Sequence, residues 1–288
     1  MQELLSRWMP IDISAHGYQI DRIIAMVHWL MAVLFVGWAL YFIYALFRFR
    51  AGKNPEASYQ GAKSHFSSCV EVGVAALEAV LLIGFAIPAW SNWVSTPPAD
   101  QRPFEVRVVG EQYAWNVHYP GPDGVFGRAE VGLVDTLSNP LGIDRSDPYA
   151  QDDVTTINQL HLPVDREVTV YLSSKDVIHS FFLPQMRVKQ DAIPGMRIPV
   201  HFRATQTTPE ESQFPACNAE KNCWEIACAQ LCGLGHFRMR GFYTVHSTEG
   251  FDAWMTEQVA SLPSFTPRPA ALAGLLPDGV DTPTSSAQ

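Results

Sequence analysis

From Ile23 to Phe47 the chain runs through 25 residues without a formally charged side chain, IIAMVHWLMAVLFVGWALYFIYALF. At about 1.5 Å rise per residue, a helix of that length crosses a bilayer core with some tilt, so residues 23–47 are predicted to be a transmembrane helix. The run is too long and begins too far in for a signal peptide, and it is followed by Arg48 and Arg50 rather than a cleavage site. A second apolar stretch, residues 66–94, predicts a second span; it carries Glu71 and Glu78 and ends in Pro88 and Trp90. Seven residues is nearly two helical turns, which places both carboxyls on one face. A carboxyl inside a span is costly, so the pair is expected to face a partner helix or a proton path rather than lipid; for Glu71 the plainer alternative is an interfacial position.

The connecting loop, residues 48–65, holds Arg48, Arg50, Lys53 and Lys63 against the single acid Glu56. The positive-inside rule then puts the loop in the cytoplasm, and residues 1–22 and everything after 94 outside it, in an oxidising compartment. Cys69, at the cytoplasmic end of the second span, reads as a small packing residue.

Beyond the spans the pattern changes to short runs of strand composition: FEVRVVGEQYAWNVHY, REVTVYLSS, RIPVHFRA and GFYTVHS, each bounded by turn residues. These predict an all-β sandwich or barrel within residues 95–262, with 121–158 an irregular insertion. Residues 263–288, rich in Pro, Ala, Ser and Thr, are expected to form a mobile tail or draped arm. With 47% hydrophobic and 17% charged residues, the whole chain averages a greasy part and a wet one. A net charge of −9 argues against a nucleic-acid partner, whose binding would need a basic patch, and suits a cationic partner instead.

Four of the five cysteines fall between Cys217 and Cys232. Within Cys228-Ala-Gln-Leu-Cys232-Gly-Leu-Gly-His236-Phe-Arg-Met239, two thiols, an imidazole and a thioether lie inside twelve residues. Soft sulfur with imidazole selects copper or zinc. A mononuclear blue-copper site takes one Cys, so a second at this spacing is one thiolate too many, and two thiolates could instead bridge two copper ions. A further imidazole should come from another loop, and His179 in Asp176-Val-Ile-His179-Ser-Phe is the best candidate. The motif alone also permits a zinc site of Cys228, Cys232, His236 and His179.

DVIHSF and KQDAIPG, followed by C-x3-C-x3-H-x2-M, resemble subunit II of the haem-copper cytochrome c oxidases, and the likeness runs over nearly all of residues 20 to 260. The resemblance implies a two-helix transmembrane hairpin in a bacterial inner membrane, followed by a periplasmic, Greek-key, cupredoxin-like domain. It implies a dinuclear copper centre, CuA, that takes electrons from a cytochrome c and passes them to haem in subunit I, supporting oxygen reduction and proton pumping. Cys228 and Cys232 would bridge the coppers, His179 and His236 would each bind one, Met239 would be a weak ligand, and Gln230 would give its backbone carbonyl. The haems would belong to subunit I, because this chain has neither the spans nor the histidine pairs to hold them. In the family a Glu between the cysteines takes part in a magnesium or manganese site shared with subunit I; Gln230, being neutral, is expected to weaken or abolish that site. Tyr113 replaces the family's first Trp of Gly-x-Gln-Trp-x-Trp, where electrons are taken to arrive, so Tyr113 and Trp115 suggest a non-standard donor, such as a cytochrome subunit of a neighbouring complex; simple core aromatics are the competing reading. Cys217 and Cys223 lie outside the ligand set, and a disulfide stapling a hairpin beside the copper loop is expected, with an auxiliary metal site as the alternative. Glu71, with Glu78 deeper in the span, resembles the carboxylate at the mouth of a proton path. A CuA subunit of a nitric oxide reductase and a membrane-tethered copper-delivery protein are the rival readings, and a quinol-oxidase subunit is disfavoured because the copper ligands remain.

Overall fold

The computed structural model describes residues 8–56, 59–60, 64–94, 103–214 and 223–262. The expected tail 263–288 and Cys217 lie outside the described residues. Helix α1, Gly17–Arg48, starts six residues earlier than the apolar run because its polar first turn continues onto the β-domain. The second apolar segment is an α-helix over Phe66–Leu81 (α2), a π turn over Leu82–Ala86, and an α-helix over Ile87–Val94 (α3). Pro88 has no N–H to offer the Gly84 carbonyl four residues back and its ring crowds that turn, which accounts for the widening just before it. Both helical segments are long and apolar enough to cross a membrane, and neither is covered by the rest of the chain.

The β-domain is a sandwich of two five-stranded sheets. The strands are β1 Phe104–Glu111, β2 Ala114–Tyr119, β3 Val154–Ile157, β4 Gln159–Pro163, β5 Glu167–Ser174, β6 His179–Leu183, β7 Val188–Ala192, β8 Ile198–Arg203, β9 Glu225–Cys228 and β10 Arg240–His246. One sheet has the order β3-β2-β1-β5-β8 and the other β4-β10-β9-β6-β7. In β1, Phe104, Val106 and Val108 point inward while Glu105 and Arg107 face out, the period-2 alternation of a half-buried strand. The core between the sheets holds Trp115, Tyr119, Leu160, Leu172, Phe181 and Ile226, all fully buried.

The single run FEVRVVGEQYAWNVHY is in fact a hairpin: β1 and β2 pair from Arg107↔His118 to Glu111↔Ala114 and turn at Gln112–Tyr113. The insertion is irregular from residue 120 to 153 apart from short 3-10 turns, but its end is strand β3, held by β2 from Asn116↔Ile157 to Tyr119↔Val154. A C-terminal helix α4, Thr248–Ala260, is capped by Ser247 and docks Phe251 on Phe104 and Trp254 on Tyr119, with ring centroids 5.0 and 5.1 Å apart.

The segment before α1 is part of this domain. Ile13 is fully buried; its N–H donates to Gln185 O at 3.0 Å, and its carbonyl accepts from Thr205 N–H at 2.7 Å. Ser14 bridges Ala204 antiparallel, and Arg187 holds Asp21 at 2.7 Å and the Pro10 carbonyl at 2.7 Å. The N-terminal end of the first span is thereby pinned to the β-sandwich, and the residues just before that span and the sandwich lie on the same side of the spans.

Candidate metal centre

Strand pairing assembles the site. His179 opens β6 and Cys228 closes β9; the two strands pair with Phe181 opposite Cys228, and Ala229 N–H donates to Ser180 O at 2.9 Å. The chain then makes an excursion over residues 229–239 before returning as β10, which pairs with β9 through Arg240↔Ala227. Ligand candidates far apart in sequence are brought to one end of the sandwich by a few ladder bonds.

The Sγ atoms of Cys228 and Cys232 are 3.8 Å apart. Cys232 Sγ is 3.6 Å from His236 Nδ1 and 3.7 Å from Met239 Sδ, and Cys228 Sγ lies 3.2 Å from the Gln230 carbonyl oxygen. A ring nitrogen of His179 and the two sulfurs fall within 4.8 Å of one another. All six positions singled out from the motif are therefore in one cluster, with His179, Cys232 and Met239 buried. His179 Nε2 donates to Asp176 Oδ1 at 2.8 Å, and Asp176 in turn accepts from the Gln112 and Val177 backbone N–H groups, both at 2.7 Å. The other ring nitrogen, Nδ1, is buried and has no hydrogen-bond partner among the described residues. A buried orphan of that kind calls for an electrophile, and the carboxylate behind the ring fixes its orientation as outer-shell partners of metal ligands do. Two sulfurs 3.8 Å apart can both bind one ion at the roughly 2.3 Å typical of a metal–thiolate bond, so the residues present fit a soft metal held by two thiolates.

The electrostatics separate the two thiols. Burial disfavours the Cys228 thiolate, but interactions with His179, the Ser180 and Gln230 backbone and His236 outweigh it and lower its pKa. Burial raises Cys232, and the neighbouring Cys228 charge raises it further. Burial works against protonating His179, yet Cys228 and Asp176 push it the other way and prevail. A cation would replace those protons and be held by the same negative groups.

Trp115 is fully buried, edge-on to His179 with ring centroids 6.0 Å apart, and so has no surface to offer a donor. Tyr113 is half-buried at the hairpin turn, with the Arg238 guanidinium 5.6 Å above its ring. Glu71 and Glu78 are exposed on α2, and among the described residues neither has a hydrogen-bond or ion-pair partner. Cys223 is disulfide-bonded, whereas Cys69, Cys228 and Cys232 are free thiols. The motif did not reveal Asp176 as the support of His179, although an acid three residues before a ligand histidine was visible. It also gave no role to Leu231, Leu234 and Phe237, which stand 82%, 97% and 82% exposed on the ligand loop and form an apolar rim suited to a protein partner.

Gly110 faces the metal-side histidine: a Cβ there would lie 2.9 Å from His179 Cδ2 and 3.3 Å from Trp115. Gly110→Ala should therefore displace the ring at a cost of about 1–3 kcal/mol and lower copper content under copper-limited growth. Wild-type copper stoichiometry and thermal stability in that variant would show that the close approach is unimportant.

Residues 104–241 match the family described as cytochrome c oxidase subunit II, periplasmic domain. The alternative cytochrome c oxidase subunit 2 of Bradyrhizobium diazoefficiens is 32% identical over 257 residues, covering 88% of this chain and 86% of that protein. The cytochrome c oxidase subunit 2 of Cereibacter sphaeroides is 27% identical over 279 residues, covering 88% and 83%. Among solved structures, the periplasmic domain of subunit II of a Bradyrhizobium japonicum cytochrome oxidase aligns over 58% of this chain and 99% of that one, at 26% identity and a TM-score of 0.38. The alignment at 32% identity over 88% of this chain and 86% of that relative establishes that this chain, with its two apolar helices and its β-domain, belongs to the cytochrome c oxidase subunit II family, as a membrane-anchored subunit of a haem-copper oxidoreductase.

Proposed function

We propose that this chain is the subunit through which electrons reach its terminal oxidase, holding a dinuclear CuA centre that receives them singly from a cytochrome c and passes them to haem in subunit I. The observation that carries the reading is the cluster itself: two thiols 3.8 Å apart, with a methionine sulfur and two imidazoles around them. Zinc would leave Met239 without purpose, since a closed zinc site is complete with four nitrogen or thiolate ligands. When bound, the copper pair supplies a site that spreads one unit of charge over two soft-ligated ions. The protein's own part is to keep His179, Cys228, Cys232, His236 and Met239 in place while that charge comes and goes; β-strand ends and the Asp176 support suit this.

On this reading the β-domain faces the periplasm, Tyr113 stands at the donor side, and the apolar rim of Leu231, Leu234 and Phe237 meets another protein of the complex. Gln230 is exposed and neutral, so the oxidase is proposed to lack a stoichiometric magnesium bound through its side chain; metal analysis of the purified complex decides this. The deciding experiment for CuA is a copper count with an electron paramagnetic resonance spectrum of the full-length chain in its membranes. Two coppers sharing one unpaired electron carry the proposal, whereas one copper or zinc alone overturns it in favour of metal handling. A haem-copper subunit that reduces nitric oxide rather than oxygen would reassign the acceptor while leaving this chain's chemistry unchanged.

Glu71 is proposed to gather protons for subunit I at the cytoplasmic end of α2, since an unpartnered carboxyl on a lipid-spanning helix is otherwise without use. Glu71→Gln should lower steady-state turnover several-fold while leaving copper reduction by the donor at its parental rate. Parental turnover in that variant removes the role.

A further inference from the structure

The turn between β1 and β2 touches both parts of the ligand set. Gln112 gives its backbone N–H to Asp176 Oδ2 at 2.7 Å, and Asp176 Oδ1 holds His179 Nε2 at 2.8 Å. The same residue gives its side-chain amide to the Cys232 carbonyl at 2.6 Å. One residue thus joins the loop before β6, which carries His179, to the excursion between β9 and β10, which carries Cys232, His236 and Met239. The loop is shaped to admit it. Gly233, immediately after Cys232, has φ +125°, a conformation that favours glycine, and a Cβ there would stand 2.8 Å from Gln112 Nε2 and 2.7 Å from the Tyr113 hydroxyl. The turn is itself braced, because Lys175 N–H donates to Gly110 O at 3.0 Å and the Lys175 ammonium pairs with Glu111 at 2.6 Å.

We propose that Gln112 is a positioning residue that locks the two ligand loops into one frame, so that the separation between the His179 side and the Cys232 side of the metal site is set by the β1–β2 turn. The inference rests on the copper reading above and deepens it. Its physical content is stiffness: the loops belong to different strand connections, and among the described residues Gln112 is the residue whose hydrogen bonds, one from its backbone and one from its side chain, reach both. The backbone bond to Asp176 survives most substitutions, whereas the bond to Cys232 needs an amide donor at this length. Losing that donor leaves the Cys232 carbonyl without it and lets the excursion shift relative to His179.

The test uses the full-length chain assembled in its oxidase, with Gln112→Leu, which removes the donor and ends one atom short of it, and Gln112→Glu, which sets a carboxylate against the carbonyl. Both should retain two coppers and change the copper hyperfine pattern of the resonance spectrum. Copper loss to a copper(I) chelator should be about tenfold faster in Gln112→Leu, the size of one lost hydrogen bond, and faster still in Gln112→Glu. A role confined to docking the donor would alter only the KM for cytochrome c, leaving spectrum and copper release at parental values, and would overturn the inference. If the parental chain itself shows no two-copper signal, the copper reading falls and this inference with it; if the parent shows that signal and both variants match it, only the inference falls.

Discussion

Cys232→Ser is expected to abolish the two-copper resonance signal and to lower cytochrome c-driven turnover of the assembled oxidase by about a hundredfold or more. Cys232 is the centre of the cluster: its sulfur lies 3.8 Å from Cys228, 3.6 Å from His236 and 3.7 Å from Met239. A hydroxyl in its place is hard, barely ionised near neutral pH, and a poor ligand for the soft metal that the remaining donors select; outer-shell changes alone typically cost 10–100-fold in metal affinity, and on the proposed reading Cys232 is a direct ligand. The fold should survive, because the exchanged atom is smaller and the buried site keeps its hydrogen-bonded frame through Asp176 and Gln112. Copper stoichiometry, the resonance spectrum and turnover are measured together, with the haem spectrum of the complex reporting assembly. Two coppers and parental turnover in that variant would remove Cys232 from the ligand set.

Ile13→Ala carries the largest expected loss of stability. Ile13 is fully buried in the sandwich core although it precedes the first span, and its backbone bonds to Gln185 and Thr205 on both sides. Truncating a buried isoleucine costs about 2–4 kcal/mol, which for a domain of this size lowers the midpoint of thermal unfolding by roughly 5–15 °C. Tryptophan fluorescence of the detergent-solubilised chain during heating follows the transition. Arg187→Ala should act in the same direction and more weakly, because the Asp21 and Pro10 contacts it removes lie nearer the surface. A midpoint within a degree or two of the parent for Ile13→Ala would mean that the N-terminal segment is a passenger. By the same reasoning a soluble fragment that begins after the second span would leave the groove of Ile13 open and is expected to unfold at a lower temperature than the full chain.

Much of this protein was legible without coordinates. The two spans follow from charge-free apolar runs, since composition and length alone suffice for a helix that satisfies its own backbone in lipid. Five of the six candidate ligands stand out in the sequence, because four of the distinctive side chains sit within twelve residues and His179 lies in a recognisable hexapeptide; the sixth, the Gln230 carbonyl, comes from the family resemblance alone. Strands β1, β2, β5, β8 and β10 lie in runs readable from strand composition and flanking turn residues. The short strands β3, β4, β6, β7 and β9 were not, because four or five residues hold too little pattern to outweigh their neighbours and are stabilised by the ladders they join. Helix α4 was missed for the same reason: its hold on the domain is Phe251 and Trp254 against Phe104 and Tyr119, contacts that the local sequence does not announce.

The chain alone therefore determined which residues could enter lipid and which could bind a soft metal, properties that reside in side-chain chemistry and local spacing. Tertiary structure decided how those residues are supported: that His179 leans on Asp176, that Gln112 spans two loops, that Trp115 is sealed in the core, and that residues before the first span complete the sandwich. Apart from the His179–Asp176 contact, which is local and is held in place by Gln112 from the β1–β2 turn, each of these joins segments tens to nearly two hundred residues apart or depends on burial, and such contacts exist only once the strands have paired, because the entropy of closing those long loops is offset by the core they enclose.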